Sequence, residues 1–479
     1  MTAARTALTA HAPLDLSGVP VTVMGLGLFG GGAATVRWLA RRGARITVTD
    51  LRSAEALAPT LASMDGIDAH RVLGRHRTED FTAAEVVVAN PAVPPSSPYL
   101  AAAHAAGTVI TSEMALFLQH CPARIALVSG TQGKSSTCHF LAQFLADLPE
   151  RVHLGGNIGA SLLDVVEGMR ASDIAVVEIS SYQLEALPDP ARDPHAVKPG
   201  PDVRAAALTN VLADHLERHG TRAAYAAAKA RILELLAPDG VAFLPAGDAR
   251  FDAGVPAGAR IVRHGSRARS ATEAGPRELA LEFEGGVVSL GEERLASLTD
   301  LPLAGEFQRA NAALALGIAR TLGATPDSLA AAIEGLKGLP HRLEELGDLD
   351  GRRVVDNGVS TTPDSTIAAL EALGRPCTLL CGGQAKRDLP LDDLARVARR
   401  REVRAIPFGA ARELLAGAFT AESVAVHGAA TLAEAVALAY EHTPPGGCIL
   451  FSPACASFDA YANFRERALE FRALVTRRA

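Results

Sequence analysis

The sequence is poor in aromatic residues, which make up 4% of its 479 positions, and it holds one tryptophan. Alanine, leucine, valine and arginine are in excess instead, a bias that reads as genome composition and carries no function. Cysteine is scarce. The six present, Cys121, Cys138, Cys377, Cys381, Cys448 and Cys455, are too scattered for a disulfide framework. They form no C-x-x-C pair, which argues against a structural zinc site. No run approaches the ~18 consecutive apolar residues of a membrane-spanning helix. Met1 to Leu16 has no basic start followed by an apolar core, so no signal peptide is expected and a cytoplasmic location is. Positive charge is not in excess: 47 Lys+Arg stand against 53 Asp+Glu, a net charge of -6. That argues against a nucleic-acid binder working by broad phosphate neutralisation. A monomer without nucleic-acid or membrane partners is expected.

What is present is globular composition, 48% hydrophobic and 21% charged. The length suits about three domains. Short β-branched runs alternate with Ala/Leu-rich helical stretches. Val21–Met24, Arg45–Thr49, Glu85–Ala89, Ile125–Val128, Ile174–Val177 and Ala205–Leu208 read as buried strands, so α/β domains with largely parallel sheets are predicted. Three blocks emerge: 1–112, 113–338 and 339–479. The second carries a proline-rich surface insertion, Leu187–Pro201, and hairpins around Gly285-Gly286. The third has strands at Cys377–Leu380, Ala405–Phe408 and Cys448–Phe451.

Two glycine turns carry chemistry. Gly25-Leu26-Gly27-Leu28-Phe29-Gly30 follows the first strand and opens a helix, and Asp50 ends the second strand. Glycines there let backbone N–H groups approach a phosphate, and the acid can meet a ribose. A dinucleotide and a nucleotide diphosphate such as UDP fit equally well, as does a ligand-free turn. Gly31 and Gly32 follow, so a loose helix start is expected. Gly130-Thr131-Gln132-Gly133-Lys134-Ser135-Ser136 is the stronger signal. It stands between an apolar strand and a helix, where amides cradle phosphates, the lysine reaches the β/γ oxygens and a hydroxyl meets Mg²⁺. Val128 stands where the first glycine of such a loop is usual. Glu178 ends the next strand, where a second Mg²⁺ ligand belongs. Taken alone, Glu178 also reads as a surface glutamate, Asp214-His215 as a structural pair, and Lys229, in the helical run Ala223–Leu236, as a solvated lysine. Together the motifs indicate phosphate transfer from a nucleoside triphosphate beside a second nucleotide-like site.

In order and spacing, these motifs resemble the Mur ligase superfamily, and within it the branch that adds D-glutamate. The resemblance covers nearly the whole chain. It rests on Gly130–Ser136, Gly155-Gly156-Asn157-Ile158-Gly159, Glu178–Glu185, Asn210–His219, Gly338-Leu339-Pro340-His341-Arg342-Leu343-Glu344 and Ser452–Asp459. It implies a Rossmann-like N-terminal domain for UDP-N-acetylmuramoyl-L-alanine, a central P-loop domain for ATP and Mg²⁺, and a C-terminal Rossmann-like α/β domain for glutamate. Carried onto matching positions, it implies that Gly27, Leu28, Phe29, Asp50, Leu51, Arg52, Asn90, Pro91, Asn157 and Gln183 bind the UDP substrate. Gly130 to Ser136 with Asn311, Arg342 and Asn357 would serve ATP. Lys134, Glu178, His215 and Lys229 would be catalytic. Ser135, Glu178, His215 and Lys229, the last as a carbamate, would hold metal. Thr361, Lys386, Ser457, Phe458 and Phe464 would hold glutamate. One segment departs: the usual Asn-Asp-Ser-Lys-Ala-Thr-Asn reads Asp356-Asn357-Gly358-Val359-Ser360-Thr361-Thr362. Acid and amide are exchanged, and a valine replaces the lysine. L-Glutamate as acceptor and a folylpolyglutamate-type ligase are the alternatives.

Overall fold

The computed structural model describes residues 16–28, 30–189, 200–212, 214–265, 277–299, 301, 305–385 and 391–477. Phe29, Lys386 and most of the proline-rich insertion lie outside these residues. The chain divides into two compact units, Met1–Thr299 with Asn311–Ile333, and Asp300–Ala310 with Glu334–Ala479.

The first unit holds two sheets. Strands β1 (Pro20–Met24), β2 (Arg45–Asp50), β3 (His70–Leu73), β4 (Val86–Ala89) and β5 (Val109–Thr111) lie in the order β3-β2-β1-β4-β5. All their pairings are parallel. The order reverses between β1 and β4, which opens a crevice at the carboxyl ends of those strands. Gly25 follows β1 there and Asn90 follows β4.

The second sheet is built from β6 (Arg124–Ser129), β7 (Val152–Gly156), β8 (Ile174–Glu178), β9 (Val203–Leu208), β10 (Leu236–Pro245), β11 (Arg260–His264), β12 (Glu278–Glu284), β13 (Val287–Leu290) and β14 (Glu293–Ser297). Its order is β14-β13-β12-β11-β10-β9-β6-β8-β7. The central strands β6, β8 and β9 are almost wholly apolar and buried, as a sheet covered on both faces requires. The expected hairpins are present, with β12 antiparallel to β13 around Gly285-Gly286. The helical run expected over Ala223–Leu236 is shorter. An α-helix spans Arg222–Ala230, a 3₁₀ turn spans Arg231–Leu235, and Leu236 already opens β10. Buried Arg231 donates to the carbonyls of Leu184, Glu185 and Leu187, which anchors that tight exit.

The second unit has one sheet, from β15 (Glu344–Leu349), β16 (Arg352–Asp356), β17 (Thr378–Gly382), β18 (Arg404–Phe408), β19 (Ala425–Val426) and β20 (Cys448–Ala454), in the order β15-β16-β20-β17-β18-β19. Only β15 runs antiparallel to its neighbour. All six cysteines are buried and unbridged. Among the described residues no helix is long and apolar enough to cross a membrane.

The first glycine turn is tighter than expected. The helix starts at Gly31, and a Cβ on Gly32 would lie 2.1 Å from the Leu26 carbonyl oxygen. Gly32 therefore lets the helix press onto the loop. Gly32→Ala should push the two apart and destabilise the first unit by about 1–3 kcal/mol, the usual cost of overpacking. A urea unfolding curve unchanged from wild type would contradict this close approach.

Candidate active site

Strand β6 delivers the P-loop. Gly130 has φ 144°, and a Cβ there would lie 1.9 Å from Thr209 Oγ1, so only glycine admits the neighbouring turn. That turn grips the loop from outside. Thr131 N donates to the Asn210 carbonyl at 2.8 Å, Gln132 N donates to Asn210 Oδ1 at 3.0 Å, and Thr209 Oγ1 donates to the Gln132 carbonyl at 2.5 Å. The amides of Thr131 and Gln132 thus shape the loop. The donors left for a phosphate are those opening the helix Lys134–Phe144, whose first turn carries no acidic residue. Gly133, at φ 83°, caps this helix, and a Cβ on it would lie 2.4 Å from Asn311 Oδ1. Asn311, expected on the adenine side, therefore sits against the loop.

Two lysines meet on one oxygen. Lys134 Nζ donates to the carbonyls of Gly130 at 3.0 Å and Thr131 at 2.9 Å. Lys229 Nζ donates to the same Gly130 carbonyl at 2.7 Å, from a side chain that is fully buried. Lys229 is therefore not the solvated lysine its helix suggests. Burial, and then the nearby Lys134 charge, lower its pKa to about 7, against the pull of Asp214 and Glu178.

Glu178 ends β8 and is 1% exposed. Its Oε1 accepts from Asn157 Nδ2 at 2.8 Å, while Oε2 has no hydrogen-bond partner. The Ser136 hydroxyl is buried without a partner as well. Ser135, the expected ligand, is only half-buried. Buried, unsatisfied oxygens are costly unless something else binds them, and hard oxygen donors suit Mg²⁺. His215 lies at the rim, with φ 51° and a side chain 46% exposed. Its ring meets Asp214, Glu217 and Tyr182. Among the described residues no three His, Cys, Asp or Glu side chains converge into a metal site. A divalent ion would rest on Glu178 and a loop hydroxyl, completed by phosphate oxygens.

The nucleotide-like site is built from the crevice between β1 and β4. Gly25 and Gly27 both have positive φ. Buried Asp50 accepts from Gly27 N at 3.1 Å through Oδ2 and from Arg52 N at 2.8 Å through Oδ1. Its carboxylate holds the loop shape, so a direct ribose contact must use its remaining lone pairs. Asn90 Nδ2 donates to the Gly25 carbonyl at 3.1 Å, and its Oδ1 accepts from Ala92 N at 3.0 Å. Leu28 and Leu51 are exposed beside this loop. Gln183 is buried and occupied: its Oε1 accepts from Ser180 N at 2.9 Å in a capping box. Only its amide nitrogen is left to face a substrate.

Residues 20–112 match the model of the Mur ligase MurD-like N-terminal domain, and residues 128–319 match that of the Mur ligase middle domain. The chain belongs to the Mur ligase family. A UDP-N-acetylmuramoylalanine–D-glutamate ligase of Roseiflexus is 36% identical over 475 residues, 96% of this chain and 99% of that protein. Its counterpart in Geobacter metallireducens is 35% identical over 474 residues, 96% and 98% of the two chains. Among solved structures, MurF of Thermotoga maritima in complex with ADP superposes with TM-score 0.54 at 18% identity, over 99% of both chains. UDP-N-acetylmuramate-alanine ligase MurC of the same organism gives 0.57 at 14% identity, over 95% and 98%. These two share the fold.

This Mur ligase gathers its C-terminal motifs at one edge of the third sheet, where β16, β17 and β20 end. Asn357, expected at ATP, is buried and committed internally: Nδ2 donates to Ser452 Oγ at 3.0 Å and Oδ1 accepts from Leu343 N at 3.3 Å. Exchanging acid and amide therefore puts an internal brace at this position. Asp356 accepts from His341 Nδ1 at 2.7 Å and from Arg472 Nε at 2.8 Å. His341 and Leu343 flank Arg342 with φ 63° and 46°, so this network fixes the turn that presents it. Ser457 is buried, Phe458 is 69% exposed, and Thr361 and Phe464 are half-buried.

Sequence reasoning missed Arg467. It is fully buried and donates to the carbonyls of Gly382 and Ala456 at 3.1 Å and Cys455 at 3.0 Å. Burial lowers its pKa to about 10. It ties the ends of β17 and β20 together beneath Ser457 and beside Ala454, whose φ is 62°. Charged donors to carbonyls are worth about 1.5–3 kcal/mol each. Arg467→Met should lower the stability of the second unit by at least about 2 kcal/mol in chemical denaturation. An unchanged midpoint would show the clamp to be dispensable.

Proposed function

We propose that the chain joins the alanine carboxyl of UDP-N-acetylmuramoyl-L-alanine to the amine of D-glutamate, cleaving ATP to ADP and phosphate. The observation that carries this is end-to-end likeness to ligases named for that reaction, combined with a P-loop facing a buried, half-satisfied glutamate. Residues 1–112 are assigned to the UDP substrate, 113–338 to ATP and 339–479 to glutamate.

The reaction turns an unreactive carboxylate into an acylating agent. A carboxylate oxygen attacks the γ-phosphorus and ADP leaves; the amine then attacks the acyl carbon and phosphate leaves. Both steps crowd anions together, and two like charges 4 Å apart repel by ~4 kcal/mol at an effective dielectric of 20. Lys134 and the amides opening its helix offset that charge. Mg²⁺, held by Glu178 with Ser136 or Ser135, would supply further counter-charge. Asn157 keeps the Glu178 carboxylate aimed by occupying one of its oxygens. Lys229 has a pKa lowered to about 7 by burial and by the Lys134 charge. It can attack carbon dioxide, form an N–C bond and release a proton, becoming an anionic oxygen donor.

The deciding experiment is ADP release with UDP-N-acetylmuramoyl-L-alanine and each glutamate enantiomer at equal concentration. Turnover should require the UDP substrate and favour the D form. A large preference for L-glutamate would overturn the acceptor assignment and leave the other sites intact.

Lys134→Ala should lower kcat by at least ~10²-fold, the scale of losing one charge contact to the transition state. Near-normal activity in a folded variant would sink the ATP-site assignment.

Asp50→Ala should act differently. It frees the Gly27 amide from its brace, so KM for the UDP substrate should rise about tenfold or more while KM for ATP stays put. Equal effects on both would move the UDP site elsewhere.

A further inference from the structure

The helical turn Leu216–His219 follows directly on His215 and carries Arg218, whose side chain is 10% exposed. Its guanidinium joins two sheets. On one side, Nη1 donates to the Ala92 carbonyl at 3.2 Å, and Nη2 donates to those of Pro91 at 3.3 Å and Val93 at 2.9 Å. Three consecutive carbonyls of the turn after β4 are thus held by one side chain. That turn begins at Asn90, which braces Gly25. On the other side, Nε donates to Glu185 Oε2 at 2.7 Å, and the guanidinium lies 5.0 Å from the Tyr182 ring centre. Tyr182 packs on His215, with ring centres 5.1 Å apart, and Glu185 also meets His219.

We infer that Arg218 is a positioning residue that sets the register between the nucleotide-sugar loop and the P-loop sheet. The inference rests on the ligase reading above. A substrate anchored at its uridine end has to deliver a carboxyl many bonds away to the γ-phosphate. The two anchoring loops belong to different sheets, so their separation enters the reacting distance directly. A misplacement near 1 Å costs on the order of 10²-fold in rate. Arginine suits the task because its planar fork presents several donors in fixed directions. Lysine, a single point charge on a flexible stem, cannot hold three carbonyls and a carboxylate together.

Arg218→Lys and Arg218→Met test this, with kcat and both KM values referred to active sites counted by nucleotide binding. Loss of register should lower kcat about 30- to 100-fold, with KM for ATP and for the UDP substrate within about threefold of wild type. Arg218→Lys should recover little of the loss. A raised KM for the UDP substrate at unchanged kcat would make Arg218 a support of the binding loop only, and overturn the inference. So would wild-type kinetics in Arg218→Lys, because then a bare cation suffices. If Arg218→Met does not fold, Arg218→Lys decides alone. Wild-type protein without glutamate-dependent ADP release would defeat the ligase reading itself, a result separable from any of these.

Discussion

The chain contains only five lysines among its 47 basic residues, and two of them place their ammonium groups on the carbonyl of Gly130. Arginine does the structural work elsewhere, in Arg37, Arg218, Arg231 and Arg467. A guanidinium could not replace either lysine, because it cannot lose its proton and its fork needs room that a tight glycine turn lacks. Two ammonium groups on one buried oxygen repel strongly, and burial penalises the second charge again. One of the two therefore approaches neutrality, and it is the deeper one, Lys229. The loop around Gly130 is held where this conflict is sharpest. Thr209 and Asn210 grip it from β9, and Glu178 stands at the end of β8 across the register Val128–Glu178.

The polar side chains of the site fall into two groups that residue type does not separate. Asp50, Asn90, Gln183 and Asn357 all look like ligands in the sequence, and all carry the hydrogen bonds that give loops their shape. Glu178 Oε2 and the Ser136 hydroxyl, by contrast, are buried with nothing to bond. Such orphans are costly, and these two lie at the P-loop, where the Mg²⁺ proposed above would satisfy them. A substitution in the first group should act by deforming a loop, and one in the second by removing a direct contact.

How legible this was in the sequence follows from the range of the forces involved. Strands β6, β8 and β9 announce themselves because burial on both faces demands unbroken apolar runs. The P-loop is visible because phosphate cradling needs glycine and lysine at close spacing. The burial of Lys229 was not visible in its own helix, which reads as a surface helix, and only the family resemblance pointed to it; its ammonium is covered by the loop at Gly130, 99 positions away. Gly32 was read as loosening a helix that it tightens, since the contact with Leu26 depends on how strand and helix cross. Arg218 and Arg467 gave no signal at all. An arginine that ties carbonyls together has no sequence pattern, because backbone carbonyls are everywhere.

Besides its shared apolar core, the first unit carries ion pairs that run between its two sheets. Arg37 forms a two-pronged pair with Asp164, at 2.9 and 2.5 Å, between the first glycine helix and the turn after the Asn157 loop. Arg41 and Arg42 reach Glu167 one turn on. Surface pairs like these add little stability singly. Their value lies in direction: they hold the glycine helix of one sheet against the turns that follow β7 in the other. Apolar packing alone is non-directional and would tolerate sliding. On the reading proposed above, the donor substrate is gripped at one sheet and activated at the other, and arginine forks on carbonyls and carboxylates supply directional ties between the two. The second unit places its buried charges, Arg467 and Asp356, the latter paired with half-buried Arg472, at the ends of its own strands. There they fix the frame around Ser457 and Arg342 within the unit itself.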